Sequence, residues 1–199
     1  MESSVESKMK LHASPQRGFS LLEVLVAIAI ISIVLAMAII NFGKMFPNAK
    51  ANSAMDQLLY QMRSARERAI AHRREVQVQF VGNNQLTLTE IWLPGTGTAP
   101  PPTTVGFEGG AQYIVYGAVP DTPMGFGNGG PVFFGGVTGG PPIMKFTTNG
   151  AFIDGGNTLV NGTVFLGIPG NAATARAVTV LGATGRVREY HWDGTQWQE

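Results

Sequence analysis

The sequence predicts an α+β fold, a long N-terminal helix packed on antiparallel β-sheet, and three observations carry that prediction. Residues 19–40 form an almost unbroken apolar run. From Met55 to Ile70, apolar residues recur at spacings of three and four, the period of a helix with one buried stripe. Beyond residue 74, short runs alternate apolar and polar residues between Gly-, Asn- and Asp-rich turns, the pattern of half-buried strands. A helix followed only by strands is the layout of an antiparallel sheet stacked on that helix.

The run RGFSLLEVLVAIAIISIVLAMAII carries one carboxylate, Glu23, and from Val24 to Ile40 only one polar residue, Ser32. As a helix, residues 19–40 would extend about 33 Å at about 1.5 Å per residue, enough for a hydrocarbon core of about 30 Å. A carboxylate at mid-membrane costs about 2.5–3.5 kcal/mol, so Glu23 needs a partner or a position at the helix end, where an acid is favourable. Three readings fit a basic leader and an apolar run. One is a secretory signal with Ala36-Met37-Ala38 as its cleavage pattern. Another is a plain signal anchor, and the third follows from the family resemblance below.

Next comes NFGKMFPNAK, residues 41–50, in which Gly43 and Pro47 both weaken a helix. A break is expected here, with amphipathic helix over the rest of 41–72. Its stripe is Met55, Leu58, Leu59, Met62, Ala65, Ala69 and Ile70. Of its arginines, Arg66 falls on the apolar face. Its buried stem is expected to carry the guanidinium to a carboxylate or to backbone carbonyls. Arg73 is expected beyond the helix end.

Residues 73–199 are expected to form a β-rich domain. Glu75–Val81 and Gln85–Trp92 alternate about a Gly82-Asn83-Asn84 turn and read as a hairpin. Residues 94–142 hold 14 Gly and 9 Pro with no Lys or Arg. They read as a long, exposed, mobile insertion with strand character only at 111–119 and 131–134. Its aromatic residues either anchor the loop or form a contact surface. Further strands are expected at 144–147, 151–153, 163–168, 177–181 and 186–192, with a turn at Asp193-Gly194 leading to Trp197.

Charge and chemistry exclude several classes. From residue 41 onward the chain has 11 Lys+Arg against 10 Asp+Glu, so anion binding would need a local patch rather than a basic domain. With no cysteine, neither disulfides nor thiolate metal sites are available. His12, His72 and His191 are isolated, and no catalytic triad, carboxylate pair or metal-ligand spacing stands out. Neither catalysis nor a cofactor or metal is expected.

Gly18-Phe19-Ser20-Leu21-Leu22-Glu23, after a short basic leader and before an apolar run, resembles the leader junction of type IV pilins and pseudopilins. The segments LLYQMRSARERAIAHRREVQVQF, F-TTNGAF with NTLV and VFL, and AVTVLGATGRVREY are similar to minor pseudopilins and pilins of the GspH/FimT type. That resemblance implies residues 1–18 as a leader. A prepilin peptidase would cut between Gly18 and Phe19 and N-methylate Phe19. It implies an inner-membrane anchor with the C-terminal domain in the periplasm, then assembly with other pilins or pseudopilins into a filament. Glu23 would pair with the Phe19 amine of a neighbouring subunit, which makes an otherwise costly buried acid a register device. The filament would be a type IV pilus or a type II secretion pseudopilus.

Some FimT-like members carry a G-R-x-R motif that binds DNA, and this chain has Gly185-Arg186-Val187-Arg188. On a regular strand Arg186 and Arg188 share a face and could hold two phosphates. Tyr190 and Trp192 share that parity, and Arg176 could join. Two readings stay open here, a DNA-binding surface and an ordinary strand end with exposed arginines.

Overall fold

The computed structural model describes residues 19–92 and 97–199, without the side chains of residues 38–44. The leader and Gly18 lie outside the described residues. The chain divides into a unit at 1–42 and a unit at 43–199. Helix α1 comprises Leu21–His72.

In the first unit, Ser20 caps α1. Its Oγ accepts the Glu23 N–H at 3.2 Å, and its carbonyl accepts the Val24 N–H at 3.2 Å. Ser20-x-x-Glu23 is the sequence pattern of a capping box. Glu23 sits in the first turn, where the helix dipole favours an anion. Ser32 Oγ donates to the Ile28 carbonyl at 2.8 Å, satisfying the run's other polar side chain within the helix. The apolar residues from Leu21 to Met37 are exposed throughout. Among the described residues no helix is long and apolar enough to cross a membrane; the expected span continues to Ile40, past the last described side chain, Met37.

The expected break at 41–50 is not a break in the helix, since α1 is continuous through Pro47. Proline removes one N–H donor, but a single lost bond in so long a helix leaves its neighbours paired. The C-terminus closes as a Schellman motif. Arg73, at φ 52°, donates to the Ile70 carbonyl at 3.3 Å, and Arg74 donates to the Ala69 carbonyl at 3.1 Å. Arg73 thus lies beyond the helix, as expected.

The second unit carries two antiparallel sheets. The first has the order β3-β2-β1-β7-β8, built from β1 (Val76–Val81), β2 (Gln85–Glu90), β3 (Thr103–Gly106), β7 (Met144–Phe146) and β8 (Phe152–Asp154). The β1–β2 hairpin pairs Val81 with Gln85 around the expected turn. The second sheet has the order β12-β11-β10-β9-β5-β6, with β4 also paired to β9. Its members are β4 (Gln112–Tyr113), β5 (Val132–Phe134), β6 (Val137–Thr138), β9 (Gly162–Ile168), β10 (Asn171–Leu181), β11 (Arg186–Trp192) and β12 (Trp197–Gln198).

One core joins the helix stripe to both sheets. Met55, Leu58 and Met62 of α1 pack in a cluster with Val78, Phe146, Phe152, Val164, Val178 and Val187. Ile70, assigned to the stripe from sequence, is 41% exposed. Phe146 and Phe152 meet at 4.7 Å between ring centroids, and both are fully buried.

Over its described residues, 97–142, the expected insertion is not an exposed loop. It supplies β3 to β6, and Phe107, Tyr113, Val132 and Phe134 are core residues. Its middle covers the other face of the second sheet, where Val115 and Met124 pack on Phe165, Ala177 and Tyr190. Tyr116 Oη donates to the Ile168 carbonyl at 2.7 Å, and Asp121 accepts the Thr122 and Gly127 N–H groups, each at 2.7 Å. The glycines set the chain's path while the aromatic residues supply the buried area, which composition alone does not show.

Candidate functional site

Two regions carry the expected functional residues. In the first unit, Phe19 is 80% exposed and Glu23 is exposed on the first turn. They lie four residues apart, a spacing that shares a helix face, although Phe19 itself precedes the helix. Among the described residues, no cation is within ion-pair distance of Glu23.

The second region is the β10–β11 turn. Direct pairing of Leu181 with Arg186, Thr179 with Arg188 and Ala177 with Tyr190 puts Arg186, Arg188 and Tyr190 on one sheet face. The opposite face, holding Val187, Glu189 and His191, turns to the α1 core, where Val187 packs. So His191 and Arg188 do face opposite ways. The four motif residues have four different environments. Gly185 is buried, Arg186 exposed, Val187 core and Arg188 half-buried.

Gly185 is required twice over. Its φ is +59°, and a Cβ there would stand 2.0 Å from the Gly150 carbonyl oxygen and 3.1 Å from Arg66 Nε. Arg66 runs from α1 into the gap between these two glycines. Its Nε donates to the Thr184 carbonyl at 3.0 Å and the Gly150 carbonyl at 3.2 Å. Backbone carbonyls are thus what the sequence-predicted reach of Arg66 finds. Arg63, one turn earlier, lies with its Nη2 3.5 Å from the Val187 carbonyl. Arg63, Arg66, Glu67, Thr184 and Arg186 line one open groove at this end of the sheet.

The arginines proposed from sequence therefore separate. Arg186 makes no ion pair among the described residues, whereas Arg188 Nη1 is bound to Glu199 Oε2 at 3.0 Å. Arg176 lies apart from the other two. It pairs across the ladder with His191, on the face opposite Arg186, and is 5% exposed. Its Nε donates to Asn52 Oδ1 at 2.7 Å, and its Nη1 donates to the Ala175 carbonyl at 2.8 Å. Burial lowers its pKa from the ordinary value, and its bonds tie β10 to α1. Tyr190 is likewise buried, under the insertion, and Trp192 packs edge-on against Trp197 at 5.5 Å. Sharing the parity of Arg186 and Arg188 therefore does not make either ring an open surface beside them.

His191, near Arg176, has its pKa lowered by burial first and by that arginine's charge second, partly offset by Glu189 and Asp56. Among the described residues no group of three His, Asp or Glu side chains is placed to hold a metal ion. The sequence reading missed Arg63 and Arg66 as walls of the same groove as Arg186. The only signal was their i, i+3 spacing on a helix, which does not say what lies across from them.

Residues 13–39 match the family model described as the prokaryotic N-terminal methylation motif. Two solved structures resemble the chain, both crystal structures of the type IV minor pilin FimU of Pseudomonas aeruginosa. In one crystal form the identity is 16%, covering 76% of this chain and 94% of FimU, with a TM-score of 0.47. In the other the identity is 16%, the coverage 74% and 97%, and the TM-score 0.45. No curated protein sequence matches the chain significantly.

Proposed function

We propose that the protein is a non-enzymatic minor pilin-like subunit, made as a membrane-inserted precursor and assembled into a filament after cleavage between Gly18 and Phe19. The observation that carries this reading is the methylation-motif match over 13–39, laid on a helix that opens at Leu21 with Glu23 in its first turn. The apolar side chains there are exposed over the whole described run. In water such a surface is unfavourable by about 25 cal/mol per Å², so a bilayer or neighbouring subunits must cover it. Cleavage would create a cationic amine at Phe19, close to the positive end of a helix. Glu23 of an adjacent subunit is the group to neutralise it, and Glu23 makes no ion pair of its own among the described residues. A type II secretion pseudopilus would use the same device.

The test is incorporation. Glu23→Ala should be cleaved and methylated normally yet be missing from sheared filaments; recovery of the variant in filaments at the wild-type level would refute the pairing.

A second reading is capture of DNA at the Gly185–Arg188 segment, favoured by one observation: Arg186 is exposed and without an ion-pair partner among the described residues. Salt-sensitive binding of a DNA duplex by the intact protein tests it, and no binding at low salt would remove it.

A further inference from the structure

We propose that Asn128, in the insertion, is a site of spontaneous deamidation through a succinimide formed with Gly129, and that the fold protects every other Asn-Gly and Asp-Gly pair of the chain. Such pairs are vulnerable because glycine has no Cβ to shield its backbone nitrogen. Once deprotonated, that nitrogen attacks the side-chain Cγ. For asparagine an N–Cγ bond forms, the Cγ–Nδ2 bond breaks, and the amide nitrogen leaves as ammonia, taking up one proton. Water then opens the ring at either carbonyl. Cleavage at Cγ leaves Asp; cleavage at the main-chain carbonyl leaves isoaspartate, whose backbone runs through Cβ and Cγ.

The chain has five pairs of this kind, at 128–129, 149–150, 154–155, 161–162 and 193–194. In four of them the side-chain oxygen is already held. Asn149 Oδ1 accepts from Thr147 Oγ1 and from the Ala151 N–H at 3.3 Å, and the Gly150 N–H that would attack it is donated to the Thr147 carbonyl at 2.8 Å. Asn161 Oδ1 accepts the Gly182 N–H at 2.7 Å, with Gly162 fixed in β9 between Phe134 and Val180. Asp154 Oδ1 accepts the Gly156 and Thr158 N–H groups at 2.8 and 2.9 Å. Asp193 Oδ1 accepts the Gln196 and Thr195 N–H groups at 2.8 and 2.7 Å. Those bonds hold its carboxyl well below the usual carboxylate range, so it stays an ionised and poor electrophile.

Asn128 has none of this protection. It is exposed, and among the described residues neither its side chain nor the Gly129 N–H makes a hydrogen bond. Glycines on both sides leave the backbone free to bring Cγ onto the nitrogen. The product would also change the loop. Gly127 and Gly129 lie against opposite edges of the Phe133 ring, and a Cβ on Gly129 would stand 2.6 Å from Phe133 Cε2. Isoaspartate puts one extra backbone atom between these two glycines, so both cannot keep their seats on the ring. Either product brings the first charge into residues 122–142.

The test is incubation of the full chain in detergent micelles at neutral and at alkaline pH. Digestion with chymotrypsin, which cuts after Phe126 and Phe133, precedes peptide mass spectrometry, and isoaspartyl methyltransferase labelling separates isoaspartate from Asp. Deamidation at Asn128 should exceed that at Asn149 and Asn161 by at least about tenfold, the factor that goes with one hydrogen bond that must break first. It should rise with pH as the nitrogen deprotonates, and in urea the three sites should converge. Equal rates at the three sites in the folded protein, or a slower Asn128, would overturn the proposal. So would a preference for Asn128 that persists undiminished in urea, because it would then come from the local sequence and not from the fold.

Discussion

The two halves of α1 share one backbone conformation and solve opposite problems. From Leu21 to Met37 the side chains are apolar on every face and all exposed. From Ala51 to Ala69 the apolar residues keep to one stripe, and Met55, Leu58, Met62 and Ala65 are fully buried against the domain's own sheets. The second half is stabilised from within the chain, as most protein helices are. The first exposes its apolar side chains along the described run, and under the proposed function a bilayer or other subunits would cover them. Helical conformation thus says little about function here; where the covering surface comes from says a great deal.

That contrast can be broken first at the core. Phe152→Ala should destabilise the domain by about 3–5 kcal/mol, because Phe152 is fully buried and packs on both Phe146 and Phe134. Leu25→Ala, in the exposed half, should leave the same urea midpoint unchanged. Equal effects would mean that the first half is packed within the monomer.

The turn comes next. Gly185→Ala places a Cβ 2.0 Å from the Gly150 carbonyl oxygen at positive φ. It should cost more than about 1 kcal/mol in thermal unfolding, whereas Arg186→Ala should stay within about 0.5 kcal/mol as an exposed substitution. Arg176→Gln is compared with both. Losing its charge-assisted bond to Asn52 should cost about 1.5–3 kcal/mol, which would mark Arg176 as a strut of the fold rather than part of a ligand surface.

The smallest effect is a pH dependence. The lowered pKa of His191 in the folded state means that the unfolded chain takes up its proton first, near pH 6.5. This contribution therefore favours folding fully above that pH and is lost as pH falls below it. The melting temperature should drop from pH 7 to pH 5, and His191→Gln should reduce the drop. An unaltered profile in the variant would show that His191 is not the group responsible.

Much of this architecture is legible in the residues. The helix stripe, the β1–β2 hairpin about Gly82-Asn83-Asn84 and the strands from Met144 onward follow from local periodicity and turn chemistry, which act over a few residues. The strands β3 and β6 did not show, because Pro-Pro-Thr-Thr and Gly-Gly-Val-Thr-Gly-Gly have little propensity of their own and are ordered by pairing with β2 and β5. The covering role of Val115 and Met124 is equally non-local. At the candidate site, the alternation of Arg186 and Arg188 was readable, but not the pairing of Arg188 with Glu199 or the burial of Arg176. Those depend on which strand lies alongside and which face the helix occupies. The continuity of α1 through Pro47 was missed because one proline costs a bond without deciding the fate of a 52-residue helix.

The central claim is that the exposed half of α1 is a processed filament-core segment, and the mature N-terminus tests it most directly. Intact-mass and N-terminal peptide mass spectrometry of the protein recovered from its native membrane should find a chain beginning at Phe19 and carrying one N-methyl group. A chain beginning at Ile39, after Ala36-Met37-Ala38, or one still beginning at Met1, would contradict it.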